Sequence, residues 1–391
     1  MPLPTPYYLI DECRMQPTME RLQRLQQLSG ARCVLALKCF SSWCAFDYMR
    51  GFFAGTTSSS PWEARLGHEK FGGETHGYAV AYDESEVLEI APYCDKIVFN
   101  SLTQLERLAP HAGQAQLGLR LNPEIGSSHH ELSNPVGRYS RLGVRAERIP
   151  HDLGSRIRGA MIHVNCDNAD FASFCRQLER IAGLFGPLLH QLEWLSLGGG
   201  ISFTADTYPL DALAERLRTF SAEFGLQLYL EPGEAAVMNS TSLTVRVLDI
   251  VENEVPTLVV DAGVEPHLLD VLTYGYTPDL EGARILERDS VRLGELEGHV
   301  YRVCGRTCLA GDLFGNYCFD RAIAIGQLLH FPDVGAYSMV KKNYFNGIRM
   351  PSTYHRRLDG ELRLVQRPTY DAFRDALSSD SPAPRHSLNA H

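Results

Sequence analysis

Eight short apolar runs alternate with helix-like segments ahead of residue 236, and this alternation restricts the possible folds more than any other feature of the chain. The runs cover residues 33–40, 51–57, 75–82, 96–101, 116–123, 157–165, 194–200 and 226–233. They have strand length and are separated by turn and charged residues. Residues 61–71, 84–91, 102–108, 171–185 and 210–224 carry apolar side chains at three- and four-residue spacing with charges between them, the pattern of a helix packed on one face. Strands alternating with helices build parallel sheets, and eight repeats predict an α/β fold with a (β/α)8 barrel over residues 11–236.

Beyond residue 236 the pattern turns strand-rich, with runs at 243–251, 257–261, 300–303 and 322–328 and Gly and Pro in the turns. This predicts a C-terminal β domain over residues 237–377. Residues 7–10 are expected to add a strand to it, so that residues 1–10 belong there as well. Residues 378–391, rich in Ser, Pro, Asp and Asn, read as a disordered tail.

Polar groups fall at the C-terminal ends of the barrel runs, where such barrels carry their active sites: Lys38, Asn122, His163, Gly198-Gly199-Gly200 and Glu231. An amine, a glycine-rich cradle for an anion and a buried-looking carboxylate suit a phosphate-bearing pyridine aldehyde, pyridoxal 5'-phosphate. Taken singly, each has a plainer reading. Lys38 could be a solvated lysine, the glycines a tight turn, His163 a core histidine and Glu231 a carboxylate opening a helix.

Composition removes other classes. No apolar stretch approaches the roughly 20 residues of a membrane span, and the N-terminus lacks the basic-then-apolar pattern of an export signal, which points to the cytoplasm. The ten irregularly spaced cysteines then read as reduced thiols. A formal charge of -10 opposes nucleic-acid binding and is compatible with a cationic substrate. Cys304 and Cys308 lack the further ligands a metal would require.

Seven segments in register carry a resemblance: Leu35-Ala36-Leu37-Lys38-Cys39-Phe40, Gly55-Thr56-Thr57-Ser58-Ser59, Leu121-Asn122-Pro123-Glu124, Ser140-Arg141-Leu142-Gly143-Val144, Glu231-Pro232-Gly233-Glu234-Ala235, Thr307-Cys308-Leu309-Ala310-Gly311-Asp312 and Tyr344-Phe345-Asn346-Gly347. Together they resemble the fold-type III pyridoxal-phosphate decarboxylases, related more distantly to alanine racemase. Within that family they are most similar to the branch acting on carboxylated triamines, carboxynorspermidine and carboxyspermidine. The resemblance implies an alanine-racemase-like barrel, polyamine biosynthesis and a homodimer with shared sites.

It also implies roles. Lys38 would hold the cofactor covalently, His163 would stack on its ring, and Glu231 would keep the ring nitrogen protonated. Gly198, Gly199, Gly200 and Tyr337 would hold the phosphate. Cys308 would return a proton to Cα from the neighbouring subunit, a task suited to a thiol, though a simply buried cysteine is the alternative. Glu234, Asp270 and Asp312 would bind the polycation. Glu234 stands where related enzymes carry arginine, and an acid there attracts ammonium. Asp270 could equally be a structural acid, and Asp312 a loop cap or a partner of Arg141 across the dimer. Leu309, where ornithine and diaminopimelate enzymes place an acid, weighs against another basic amino-acid decarboxylase. Retention of Lys38, Glu231 and Cys308 weighs against a non-catalytic regulatory homologue.

Overall fold

A computed structural model describes residues 3–287 and 297–378 and divides the chain into two compact units. One comprises residues 11–241 and 333–340, the other residues 1–10, 242–332 and 341–391. The boundary lies five residues beyond the 236 read from sequence, and residues 333–340 return to the barrel unit. Nearly all of the tail at 378–391 lies outside the described residues.

The strands in chain order are β1 (Tyr7–Asp11), β2 (Arg32–Ala36), β3 (Gly55–Ser58), β4 (Glu74–Tyr78), β5 (Lys96–Phe99), β6 (Gln116–Asn122), β7 (Val144–Arg145), β8 (Gly159–Met161), β9 (Trp194–Ser196), β10 (Gln227–Leu230), β11 (Thr241–Val251), β12 (Thr257–Val260), β13 (Ala283–Leu286), β14 (His299–Cys304), β15 (Leu313–Phe319), β16 (Leu328–Phe331), β17 (Ser352–Arg356) and β18 (Leu362–Gln366). In the barrel unit, β5, β4, β3, β2, β10, β9, β8 and β6 pair in that order and β6 pairs with β5, closing an eight-stranded parallel barrel. The short β7 pairs in parallel with the C-terminal end of β6.

Each strand is shorter than its apolar run, because residues at one or both ends of the run lie in turns outside the ladder. Val34, Val98, Met161, Trp194 and Tyr229 form one buried layer of the interior. Trp194 fits because β8 opens with glycine: a Cβ on Gly159 would lie 2.0 Å from the indole ring. The helix Glu12–Ser29, absent from the sequence reading, is capped by Asp11, whose side chain accepts the Cys13 N–H at 3.0 Å, and ends at Gly30. Pro17 inside it and its polar composition mask its period.

The second unit is a mixed sheet in the order β13-β15-β14-β12-β11-β1-β17-β18, with β16 also on β11. β1 is the strand expected from residues 7–10. The strand expected at 322–328 is misplaced. Gly326, with φ 88°, and the Gln327 N–H to Ala324 carbonyl bond form a turn there, and the strand begins at Leu328. Among the described residues no helix is long and apolar enough to cross a membrane, and no group of three or more His, Cys, Asp or Glu could hold a metal ion.

Candidate active site

Lys38 lies in the turn that ends β2, exposed between Leu37 and Cys39, which are 0% and 1% exposed. Three backbone bonds fix this turn. Leu37 N–H donates to the Thr57 carbonyl at 3.0 Å, Cys39 N–H to Ala36 at 3.0 Å, and Ala36 N–H to Pro232 at 3.1 Å. The last of these brings the Glu231-Pro232-Gly233 segment beside the lysine. Tyr337, from the segment that returns to the barrel, donates its N–H to the Cys39 carbonyl at 3.0 Å and has φ 55°, an uncommon conformation for a residue with a bulky side chain.

The glycine triplet follows β9. Gly198 and Gly200 have φ of 67° and 78°, and a Cβ on Gly200 would lie 2.0 Å from the Asn165 carbonyl oxygen, so only glycine fits. Two of the three amides already have partners: Gly198 N–H donates to Ser196 Oγ at 3.2 Å and Gly199 N–H to His163 Nδ1 at 3.2 Å. Gly200 N–H has no partner among the described residues and is the amide open to an anion.

His163 lies two residues past β8. The Gly199 amide makes Nδ1 an acceptor, which places the proton of the neutral ring on Nε2. Burial first, then the positive charges of Lys38 and Arg120, hold its pKa well below the usual imidazole value. A neutral, flat imidazole beside Lys38 is suited to stacking and adds no second cation.

Glu231, 9% exposed, directly follows β10 and donates its N–H to the Gly198 carbonyl at 2.8 Å. Its Oε1 accepts the Ser196 hydroxyl at 2.5 Å. Glu234, exposed, opens the one-turn helix Glu234–Val237 just beyond. Lys38, His163, Gly198 to Gly200, Glu231, Glu234 and Tyr337 thus share the barrel unit, and backbone bonds join the loops that carry them.

These residues fit pyridoxal 5'-phosphate on structural grounds. There is an amine, a cradle that a Cβ would fill, a neutral imidazole and a buried acid with one oxygen, Oε2, that takes no hydrogen bond among the described residues.

Asp270, Cys308 and Asp312 lie in the other unit. Asp270 Oδ1 accepts from Lys341 Nζ at 2.5 Å. Cys308 is exposed, and its N–H donates to Asn346 Oδ1 at 2.7 Å. Asp312, 3% exposed, accepts the N–H groups of Val264 at 2.7 Å and Thr307 at 2.9 Å, which is the geometry of the loop-cap alternative.

Sequence reasoning missed a buried network in the barrel. Arg120 on β6, 4% exposed, donates to the His163 carbonyl at 2.9 Å and to the Tyr78 hydroxyl at 2.7 Å, with its guanidinium 4.9 Å from the Tyr78 ring. Tyr78 donates to Asn100 Oδ1 at 2.9 Å, and Asn100 holds the 141–143 loop through the Arg141 carbonyl and the Gly143 N–H. Asn122 has a similar structural task, its amide donating to the Leu142 carbonyl at 3.1 Å. The available signal was a lone cation in the apolar run 116–123, which has to be buried and satisfied if the run is a barrel strand.

A second polar cluster stands at the opposite, N-terminal end. Glu74 at the start of β4 pairs with Arg32 and Lys96, accepts from Tyr229 Oη at 2.9 Å and meets His76 Nε2 at 3.0 Å. Burial alone would raise the Glu74 pKa, yet the bonds to His76 and Lys96 hold it well below the carboxylate range. That end of a barrel bears on stability.

The family described as pyridoxal-dependent decarboxylase, pyridoxal binding domain, matches residues 19–238. The chain is 43% identical to the carboxynorspermidine/carboxyspermidine decarboxylase of Herminiimonas arsenicoxydans over 96% of its length and 99% of that protein's. It is 35% identical to the carboxyaminopropylagmatine decarboxylase of Synechocystis, with 96% of each covered. Among solved structures, carboxynorspermidine decarboxylase of Campylobacter jejuni complexed with norspermidine superposes with a TM-score of 0.87 at 33% identity, covering 96% of this chain and 100% of that one.

Proposed function

The chain belongs to the pyridoxal-dependent decarboxylase family, and on that premise we propose how its residues convert carboxynorspermidine to norspermidine and carboxyspermidine to spermidine with release of carbon dioxide. The observation that carries the reading is the end-to-end likeness to the Herminiimonas enzyme. Pyridoxal 5'-phosphate, when bound, supplies an electron-poor ring that takes up the electron pair left at Cα.

Lys38 would hold the cofactor through Nζ, Gly198, Gly199, Gly200 and Tyr337 would hold the phosphate, and His163 would cover one face of the ring. The Glu231 carboxylate would pair with the ring nitrogen and favour its protonated form, which strengthens the pull on electrons from Cα. A cation at that position would weaken it. Cys308 returns a proton to Cα from its thiol. Asp312 acts through its two backbone bonds, which shape the loop carrying Cys308.

Glu234 and Asp270 supply negative charge for the ammonium groups of an elongated substrate. Asp270 already holds Lys341, so an incoming ammonium exchanges for one of the same charge and hydrogen-bonding type. The chain works as a homodimer in which the Thr307 to Asp312 loop of each protomer completes the neighbouring site. Sedimentation at micromolar concentration gives one species of twice the chain mass, and a monomer with full turnover would overturn the shared site.

The substrate reading is tested by measuring amine release from carboxynorspermidine, carboxyspermidine, carboxyaminopropylagmatine, diaminopimelate, ornithine and lysine. The first two give the highest kcat/KM. Preference for any of the other four overturns the assignment.

A further inference from the structure

Ser196 is the last residue of β9 and is 1% exposed, in a position where a barrel core accepts an aliphatic side chain more readily than a hydroxyl. Both sides of its hydroxyl are in use. Its proton goes to Glu231 Oε1 at 2.5 Å, and its oxygen accepts the Gly198 N–H at 3.2 Å. Gly198 in turn accepts the Glu231 N–H through its carbonyl at 2.8 Å. These three bonds form a closed ring joining the glycine turn to the acid.

A serine hydroxyl has one proton and can point it in several directions. Here the Gly198 amide occupies the acceptor side, which leaves the proton directed at the carboxylate. A donor fixed on a carboxylate oxygen restricts rotation of the group. Only Oε1 is engaged, and Oε2 takes no hydrogen bond among the described residues.

We propose that Ser196 is a positioning residue for the decarboxylation: through its bond to Oε1 it sets the rotation of Glu231, so that Oε2 is presented to the ring nitrogen of the cofactor. The proposal rests on the role given to Glu231 above. It also joins two contacts that the sequence presents as separate motifs, because the same hydroxyl fixes the turn holding the phosphate and the acid holding the ring nitrogen.

The test uses Ser196→Ala, Ser196→Thr, Glu231→Gln and the Ser196→Ala/Glu231→Gln double variant of the full chain. Pyridoxal 5'-phosphate affinity of the apoenzyme is read by fluorescence titration, and kcat and KM for carboxynorspermidine are read on the loaded enzyme. Ser196→Ala weakens cofactor affinity and lowers kcat by about tenfold each, the size expected for loss of one charge-assisted hydrogen bond, with KM within twofold. Ser196→Thr keeps the hydroxyl and recovers both to within about threefold of the parent. In the Glu231→Gln background the same serine change has less than a twofold effect on kcat, since the carboxylate it acts through is gone, while the part of the affinity loss that runs through the Gly198 amide remains.

A fall in kcat of less than twofold for Ser196→Ala, or a full-sized effect on kcat in the Glu231→Gln background, overturns the proposal. If Glu231→Gln alone leaves turnover intact, the role of Glu231 fails, a different outcome from failure of Ser196. Should Ser196→Ala fold poorly, Ser196→Thr decides: tight cofactor binding with kcat still tenfold down also counts against the hydroxyl.

Discussion

Replacing Gly200 with alanine separates backbone strain from damage to the cofactor cradle, provided Gly225→Ala is made alongside it. The two glycines share the left-handed conformation, with φ of 78° and 71°. An L-residue there costs about 1–2 kcal/mol in either place. Their surroundings differ. A Cβ on Gly225, at the C-terminus of the helix Leu210–Phe224, meets nothing within 4 Å, whereas one on Gly200 would lie 2.0 Å from the Asn165 carbonyl oxygen. Contacts below 3.0 Å do not persist, so Asn165 or the glycine turn must move by 3.0 − 2.0, about 1 Å. The displaced elements are the loop following His163 and the one amide in the triplet without a partner among the described residues.

A misplacement of about 1 Å in a binding constellation costs on the order of a hundredfold. Gly200→Ala should therefore weaken pyridoxal 5'-phosphate binding to the apoenzyme by about 100-fold, or about 2.7 kcal/mol. Gly225→Ala should leave affinity within twofold while lowering Tm by about 1–2 °C for a chain of this size. The assay is fluorescence titration of apoenzyme together with thermal unfolding of each variant. Cofactor affinity within threefold of the parent in a folded Gly200→Ala protein would refute the assignment of the triplet to the phosphate.

Lys96→Met removes one cation from the Glu74 cluster at the far end of the barrel. It should destabilise the protein by about 2 kcal/mol in urea unfolding, less than for a two-membered buried pair because Arg32, His76 and Tyr229 remain on Glu74, with kcat unchanged. A loss below about 0.5 kcal/mol would show the cluster to be energetically idle. Burial lowers the pKa of His76, His163 and His267, the last to about 3. Below about pH 6.5 the unfolded chain takes up protons that the folded protein does not, so stability is complete above that pH and falls beneath it, by about 1.4 kcal/mol per pH unit for a histidine such as His163 or His267 whose folded pKa lies well below. Glu74, whose folded pKa is depressed, adds loss in the same direction once the pH drops below about 4.5. Flat urea midpoints from pH 7 to pH 5 would contradict the neutral, buried state of these rings. Glu234→Arg should lower kcat/KM for carboxynorspermidine by about 30-fold through like-charge repulsion while cofactor loading stays within twofold. Equal loss of both would show that Glu234 serves the cofactor instead of the substrate.

The barrel was legible because its information is local and periodic. Each run from Val34 to Leu230 has strand length, and its polar terminator, Lys38, His163, Gly198 or Glu231, is adjacent in sequence to the strand that positions it. Residues whose task depends on a neighbour distant in the chain gave no such sign. Ser196 lies in an apolar run and looks like a tolerated small residue until Glu231, 35 positions away, is placed against it. Arg120 reads as a stray charge until β4 and β8 bring Tyr78 and the His163 carbonyl to it. The same limit explains the strand misplaced at 322–328. Its apolar residues are real, but Gly326 N–H bonds to the Val247 carbonyl, and that long-range pairing with β11 sets the register and starts the strand at Leu328. The presence of a barrel strand and the polar group that follows it can therefore be read from composition, whereas strand limits and the hydrogen bonds that orient the acid and fix the histidine arise only on closure of the barrel. That closure makes Ser196 a sharper probe of the site than Lys38: losing the lysine would remove the amine under any reading, while the serine matters only if β9 and β10 meet in the register seen here.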